Sequence, residues 1–159
     1  MNTYLLDSDV LVQAKDMHYK FRVCPAFWGW IDREHANGKI YSVRQVWKEL
    51  IDRKDELSSW VKSRKKMFLE TDDGETYESL SLLSGWAQKH YQQAAQARFF
   101  QGADFQLVGY AHAHKYIVVT QEVYADGFEI KIPKACKAMG VRCINTWQLL
   151  EEEGAKFIL

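Results

Sequence analysis

Cysteine is scarce in this chain, and the few cysteines present form no recognisable redox or metal motif. The 159 residues contain three of them, Cys24, Cys136 and Cys143, and no two are spaced as Cys-x-x-Cys. Because their number is odd and they form no Cys-x-x-Cys pair, we predict reduced thiols, buried or half-buried, in a cytosolic protein.

Long hydrophobic runs and a net charge are absent as well. No apolar stretch approaches the length of a membrane span, and the chain lacks the basic start, apolar stretch and small-residue cleavage site of a secretory signal. Lys plus Arg and Asp plus Glu each number 21, so no global positive field attracts nucleic acid. This balance argues against a high-affinity DNA binder, but not against an RNA-cutting enzyme with a local basic patch. We expect a cytoplasmic protein with no membrane partner.

Helical and strand patterns alternate along the chain and predict the fold class. At 159 residues, with 47% hydrophobic and 26% charged residues, the chain is expected to form a single domain over residues 1–159. The continuous apolar runs 4–6 and 117–120 are typical of strands buried on both faces. We therefore predict an α/β fold, a three-layer α/β/α sandwich with a largely parallel central sheet.

Three local expectations accompany this fold. Ser42 is a plausible N-cap for the helix that carries Val46 and Leu50 on one face. The apolar residues between 57 and 69 outline one amphipathic helix. Residues 128–132 alternate between apolar and polar, which predicts an edge strand or an exposed extension.

The most informative feature is the end of the first apolar run, which stops abruptly at Asp7-Ser8-Asp9. Acids at the carboxyl end of a strand lie on the rim where open α/β sheets bind ligands, which indicates a metal site. A polar turn in which Asp9 caps the next helix explains the same pattern. The segment alone leaves both interpretations open.

Further acids follow at positions that can reach the same rim. Glu122 lies just beyond the predicted strand 117–120, as Asp7 does beyond the first strand, and a carboxylate there favours a functional role. Taken singly, Glu49 is explained by exposure on a helix and Asp104 by the dipole at a helix start. Asp126 has the surroundings of a simple turn.

Together, the order and spacing of these segments resemble a PIN domain. The segments are Leu-Leu-Asp-Ser-Asp-Val-Leu, Val-Trp-Lys-Glu-Leu, Ala-Asp before an Ala-containing helix, and Ile-Val-Val-Thr-Gln-Glu. The chain looks like the compact prokaryotic type found as VapC-like toxins of type II toxin–antitoxin pairs. The resemblance covers nearly the whole chain, including the late Gly-Val-Arg-Cys-Ile segment.

The resemblance assigns roles to individual residues. The implied catalytic residues are Asp7, Glu49, Asp104 and Glu122. The implied metal ligands are Asp7, Asp104 and Glu122, with Asp9 beside them. Glu122 stands where the family usually has Asp, and Asp9 where it commonly has Asn. Glu49 would bind metal or orient water, while Ser8 and Thr120 match small polar residues at the rim.

The chemistry of these side chains favours a hard cation. Several carboxylates in one cleft repel each other, and oxygen ligands select Mg²⁺ or Mn²⁺ over Zn²⁺. The five histidines do not compete, because His112 and His114 are two apart on a predicted helix and the others are scattered. Arg44 and Lys48 lie near Glu49 and are candidate RNA contacts, although such residues usually form a solvated face.

We therefore expect an Mg²⁺- or Mn²⁺-dependent endoribonuclease. As the resemblance implies, it would be the toxin of a toxin–antitoxin pair, with an RNA substrate, a small protein antitoxin and a homodimeric form. The alternative is a non-catalytic PIN-like module that binds RNA or protein. All four matched positions hold carboxylates, and this completeness favours the enzyme.

Overall fold

The computed structural model describes residues 1–159 and contains a five-stranded sheet in which every neighbouring pair is parallel. The strands are β1 (Tyr4–Leu6), β2 (Ile40–Val43), β3 (Phe68–Leu69), β4 (Ile117–Val119) and β5 (Cys143–Ile144). Their order across the sheet is β3-β2-β1-β4-β5, which makes β1 the central strand.

Nine α-helices connect and flank the strands. They are α1 (Ser8–Gln13), α2 (Pro25–Ala36), α3 (Arg44–Asp52), α4 (Glu56–Lys62), α5 (Gly74–His90), α6 (Gln93–Gln101), α7 (Ala103–His114), α8 (Ile132–Met139) and α9 (Thr146–Glu152). A π-helical turn continues α1 over Ala14–His18. No helix combines the length and apolar character needed to cross a membrane. The predicted three-layer α/β/α fold is confirmed.

The core positions the strand ends. One hydrophobic cluster of 36 buried residues includes every residue of β1 and β4. Because both strands are buried on both faces, their apolar side chains are removed from water on either side of the sheet. The backbone pairing sets Tyr4 opposite Ile117 and Leu5 opposite Val118. In that register Leu6 lies opposite Val119.

Local sequence signals account for two helix ends, and the prediction of reduced, buried or half-buried cysteines is confirmed. Asn145 caps α9 through a capping box with Gln148. Gly140 ends α8 in the left-handed region, at φ 69°, where glycine is favoured. Cys136 is buried, and Cys24 and Cys143 are half-buried, all as free thiols.

The helix predicted over residues 57–69 is wrong beyond Lys62. A 3₁₀ turn follows over Lys65–Met67, and Phe68–Leu69 pair with β2 as β3. Leu57, Val61 and Phe68 are all buried in the core, but they reach it from two different elements. Their spacing imitated one helix because periodicity records which residues are buried, and not which element buries them.

The strand predicted over residues 128–132 is also wrong. Those residues pair with no strand, and Ile132 is the first residue of α8. Ile130 and Ile132 are both buried, so the alternation in sequence is real. The alternation arises because Ile130, in the loop, and Ile132, at the start of α8, both reach the core without forming a strand.

Ser42 does not cap α3. Val43 occupies the N-cap position, and the buried Ser42 Oγ donates to the carbonyl oxygen of Leu6 at 2.6 Å. The prediction failed because a hydroxyl beside a helix start can also bond to a neighbouring strand. In this fold it satisfies a carbonyl at the end of β1.

The start of α5 allows a test of stability. Asp73 caps this helix, accepting from Thr76 N at 2.9 Å and Thr76 Oγ1 at 2.8 Å. Loss of an N-cap typically costs about 1 kcal/mol, so Asp73→Ala is expected to lower the free energy of unfolding by about that amount. The exposed neighbour Asp72 makes no side-chain hydrogen bond, and Asp72→Ala should stay within about 0.5 kcal/mol of wild type. Urea denaturation measures the free energy of unfolding of both variants. Equal losses of stability would contradict the capping role of Asp73.

Candidate functional site

The carboxyl ends of β1 and β4 bring polar residues to one edge of the sheet. Asp7 follows β1 directly and Thr120 follows β4 directly. Asp7 N donates to Val119 O at 2.9 Å, which carries the pairing of the strands one residue further. This is the edge at which open parallel sheets bind ligands.

One buried hydroxyl connects three of the acids at this edge. Thr120 Oγ1 lies 2.9 Å from Asp7 Oδ2 and 3.2 Å from Asp9 Oδ2. It also accepts from Glu122 N at 3.1 Å. Because a hydroxyl has a single proton, Thr120 can donate to only one of the two carboxylates at a time.

Asp7, rather than Asp9, caps α1. Asp7 Oδ1 accepts from Ser8 N at 2.7 Å, and Ser8 Oγ lies 3.5 Å from the same oxygen. Asp9 lies in the first turn of α1, and both of its carboxylate oxygens are 3.1 Å from Gln121 N. The helix-cap interpretation of Asp9 is therefore wrong, because its carboxylate links α1 to the segment after β4.

Two more acids approach from helices, and Asp104 is the more perturbed of them. Burial, the largest cause, raises the pKa of the Asp104 carboxyl from its ordinary 3.8 to about 7. The carboxylates that add to this shift by repulsion are Glu122, Glu49 and Asp9. Partial burial raises the pKa of Glu49, on α3, above its ordinary value. A hydrogen bond from the backbone amide of Ala103 opposes this shift in part.

The other two carboxylates carry pKa shifts of the same sign. Burial raises the pKa of Asp7 well above its ordinary value, and the charges of Asp9 and Asp104 add to the shift. Burial also raises the pKa of Glu122. A hydrogen bond from Ile132 N at 3.2 Å opposes that shift and fixes the Glu122 side chain against the start of α8.

The structure thus brings the predicted acids into one electrostatic environment. The members of this acidic cluster are Asp7, Asp9, Glu49, Asp104 and Glu122. Their oxygen donors suit a hard divalent cation, which would relieve the mutual repulsion. As the side chains stand, no three acids, histidines or cysteines converge closely enough to hold an ion. Asp126 lies outside the cluster, in a surface ion pair with Lys134.

Two basic residues that the sequence did not single out lie next to the cluster. Lys131 lowers the pKa of both Asp104 and Glu122, and Arg98 joins these three in lining a small cavity of about 120 Å³. Their role was missed because they reach the acids through tertiary packing, and nothing local in the sequence marks them. Arg44 is paired with Glu70 at 2.8 Å, and Lys48 is exposed on α3.

A larger cavity, of about 490 Å³, lies against the same acid on the side of β5. Glu122 lines both this cavity and the small one. Thr120 also lines the larger cavity. The acidic cluster therefore has a recess on either side of Glu122.

The pKa of Asp104 predicts how stability depends on pH. Between about pH 4 and pH 7 the folded protein retains a proton that the unfolded chain releases, so stability falls as the pH rises through this range. Asp104→Asn removes the charge and this residue's contribution to the pH dependence. We expect it to raise the Tm at pH 8 in a metal-free buffer and to change the Tm much less at pH 4.

Asp72→Asn provides the matched control, since this exposed carboxylate lies outside the cluster. Its effect on the Tm should be the same at both pH values. Thermal unfolding with a chelator present gives the Tm of wild type, Asp104→Asn and Asp72→Asn at each pH. A Tm difference between Asp104→Asn and wild type that does not change with pH would contradict the assigned cause.

Comparisons with known proteins identify a family. Searches of curated proteins and of solved structures returned no match. A family described as "Domain of unknown function (DUF4411)" matches residues 4–157, which is nearly the whole chain. On that match, the chain belongs to the DUF4411 family.

Proposed function

We propose that this protein is a metal-dependent endoribonuclease that hydrolyses phosphodiester bonds of RNA with Mg²⁺ or Mn²⁺. The observation that carries the proposal is the crowding of the acidic cluster at the carboxyl ends of β1 and β4. Burying several carboxylates together costs free energy, and a divalent cation offsets that cost. The same acids carry the resemblance to PIN domains.

The donor set fits such an ion. In the proposed site Asp7, Asp104 and Glu122 hold the metal with Asp9 beside them, and the remaining positions are left to water and substrate phosphate. When bound, the ion would supply charge neutralisation at the phosphate and a water of lowered pKa. The carboxylates would have to turn toward the ion, because they do not converge on one point as they stand.

The chain positions these acids in different ways. Asp7 has hydrogen-bond partners on both carboxylate oxygens, Ser8 N and Thr120 Oγ1, so its orientation is set before any ion binds. In the proposal, Glu49 either joins the metal or accepts a proton from the attacking water. Its raised pKa brings that carboxyl closer to neutral pH, where proton transfer is most effective.

Positive charge for the substrate comes from the small cavity. Arg98 Nη1 is 2.7 Å from Glu129 Oε1, and Lys131 Nζ is 3.4 Å from Glu129 Oε2. In the proposal these cations exchange Glu129 for an RNA phosphate, which brings the backbone beside Asp104 and Glu122.

The resemblance to VapC-like toxins supports a finer proposal. The enzyme would be the toxin of a toxin–antitoxin pair, held inactive by a small protein antitoxin, and it would act as a homodimer in the cytoplasm. A short neighbouring reading frame whose product binds this protein and blocks cleavage would support that role.

A second candidate is a non-catalytic module that binds RNA or protein. One observation favours it, namely that no three potential ligands converge in the acidic cluster. Metal binding and RNA cleavage separate the two candidates, because a binding module needs neither.

Cleavage tests the catalytic role of Asp7. Asp7→Asn keeps the shape of the side chain but removes its charge, so we expect it to abolish Mn²⁺-dependent cleavage of RNA while the protein remains folded. Asp52→Asn, at an exposed acid at the end of α3, should cleave like wild type. Gel analysis of a labelled RNA measures the rates. Equal cleavage by wild type and Asp7→Asn would overturn the catalytic assignment of Asp7.

Metal binding can be measured without any substrate. Mn²⁺ added to chelator-treated protein at pH 8 is expected to raise the Tm, because an ion that binds the folded state stabilises it. Asp7→Asn should lose most of this increase, and Asp52→Asn should keep it. If saturating Mn²⁺ leaves the wild-type Tm unchanged, the binding module becomes the better account.

A further inference from the structure

We propose that the larger cavity binds one nucleotide of single-stranded RNA next to the bond cut at the acidic cluster; this inference rests on the proposed function. The cavity measures about 490 Å³, within the usual range for small-ligand pockets. We call it the β5 cavity. The lining residues used below are Glu122, Tyr124, Lys137, Asn145 and Gln148.

Tyr124 offers a stacking surface for a base. It lies in the loop after β4, and 47% of its surface is exposed although it is a large aromatic residue. Val123 beside it is also exposed, while Pro133 and Val141 add apolar surface to the cavity wall. Stacking of a base on an exposed aromatic ring is the usual way in which proteins hold single-stranded nucleic acid.

Lys137 supplies a positive charge that forms no ion pair within the chain. Its Nζ lies 5.1 Å from the centre of the Tyr124 ring, and no carboxylate is within ion-pair distance. Lys134, one turn earlier on α8, is by contrast paired with Asp126. An exposed lysine beside an aromatic ring suits a nucleotide, in which base and phosphate are joined.

Two amide groups in the β5 cavity are left with free donors. In the capping box of α9, Gln148 Oε1 accepts from Asn145 N and Asn145 Oδ1 accepts from Gln148 N, each at 2.9 Å. Both side-chain oxygens are therefore engaged, and neither NH₂ group has a partner in the chain. The capping geometry holds these donors ready for acceptor atoms on the edge of a base.

The two cavities define a path past the acids. Glu122 lines the β5 cavity on one side and the small cavity with Arg98 and Lys131 on the other. A strand whose base enters the β5 cavity, and whose next phosphate reaches Lys131, must cross the acidic cluster. An unpaired base enters such a cavity without the free-energy cost of breaking a base pair, so the inferred ligand is single-stranded.

Binding measurements in the Asp7→Asn background test this inference without cleavage. Fluorescence anisotropy with a short labelled single-stranded RNA gives the Kd. Tyr124→Ala and Lys137→Ala are each expected to raise the Kd about tenfold. Lys137→Ala should also reduce the slope of log Kd against log salt concentration by about one, because one fewer counterion is released on binding. The matched controls are Tyr77→Ala on α5 and Lys62→Ala on α4, both exposed, and they should bind like the parent.

The outcomes separate this inference from the proposed function. If Tyr124→Ala and Lys137→Ala bind like the parent while wild type cleaves the RNA, the nucleotide site is overturned and the nuclease stands. If both variants lose binding while wild type never cleaves, the site stands and the nuclease fails. The site is overturned if the two variants lose as much affinity for a duplex RNA as for the single strand. It is also overturned if the parent protein binds no RNA.

Discussion

The parallel pairing of β1 with β4 is the interaction on which the rest of this structure depends. Both strands are buried, and their pairing sets Leu6 opposite Val119. Asp7 and Thr120 follow these two residues, and the hydroxyl of Thr120 then reaches Asp7 and Asp9 together. The hydrophobic core therefore decides where the charged site is formed.

The acidic cluster lowers the stability of the folded protein through electrostatic effects. Several carboxylates share one edge of the sheet, and burial together with repulsion raises the pKa values of Asp7 and Asp104. The backbone amide of Ile132 and the charge of Lys131 compensate only in part, by lowering the pKa of Glu122. A protein that keeps such a cluster gives up stability at neutral pH unless a cation is bound, which is typical of functional rather than structural charge.

Much of the fold and of the candidate site could be predicted from local patterns. The apolar runs that form β1 and β4 identify buried strands, and the acids directly after them identify the edge. Residues 57–69 and 128–132 were misassigned because apolar spacing does not record backbone pairing partners. Phe68 enters a strand only because β2 offers it an edge, and Ile130 has no strand beside it.

By itself, the sequence determined the class of the fold, the central strands and the oxygen chemistry of Asp7, Glu49, Asp104 and Glu122, since burial patterns and side-chain types are local properties. Only the tertiary structure decided that Asp9 turns toward Gln121 instead of capping α1. It also decided that Lys131 lies near Asp104 and Glu122. The reason is that these contacts join residues far apart in the chain, and no local pattern encodes the distance between them.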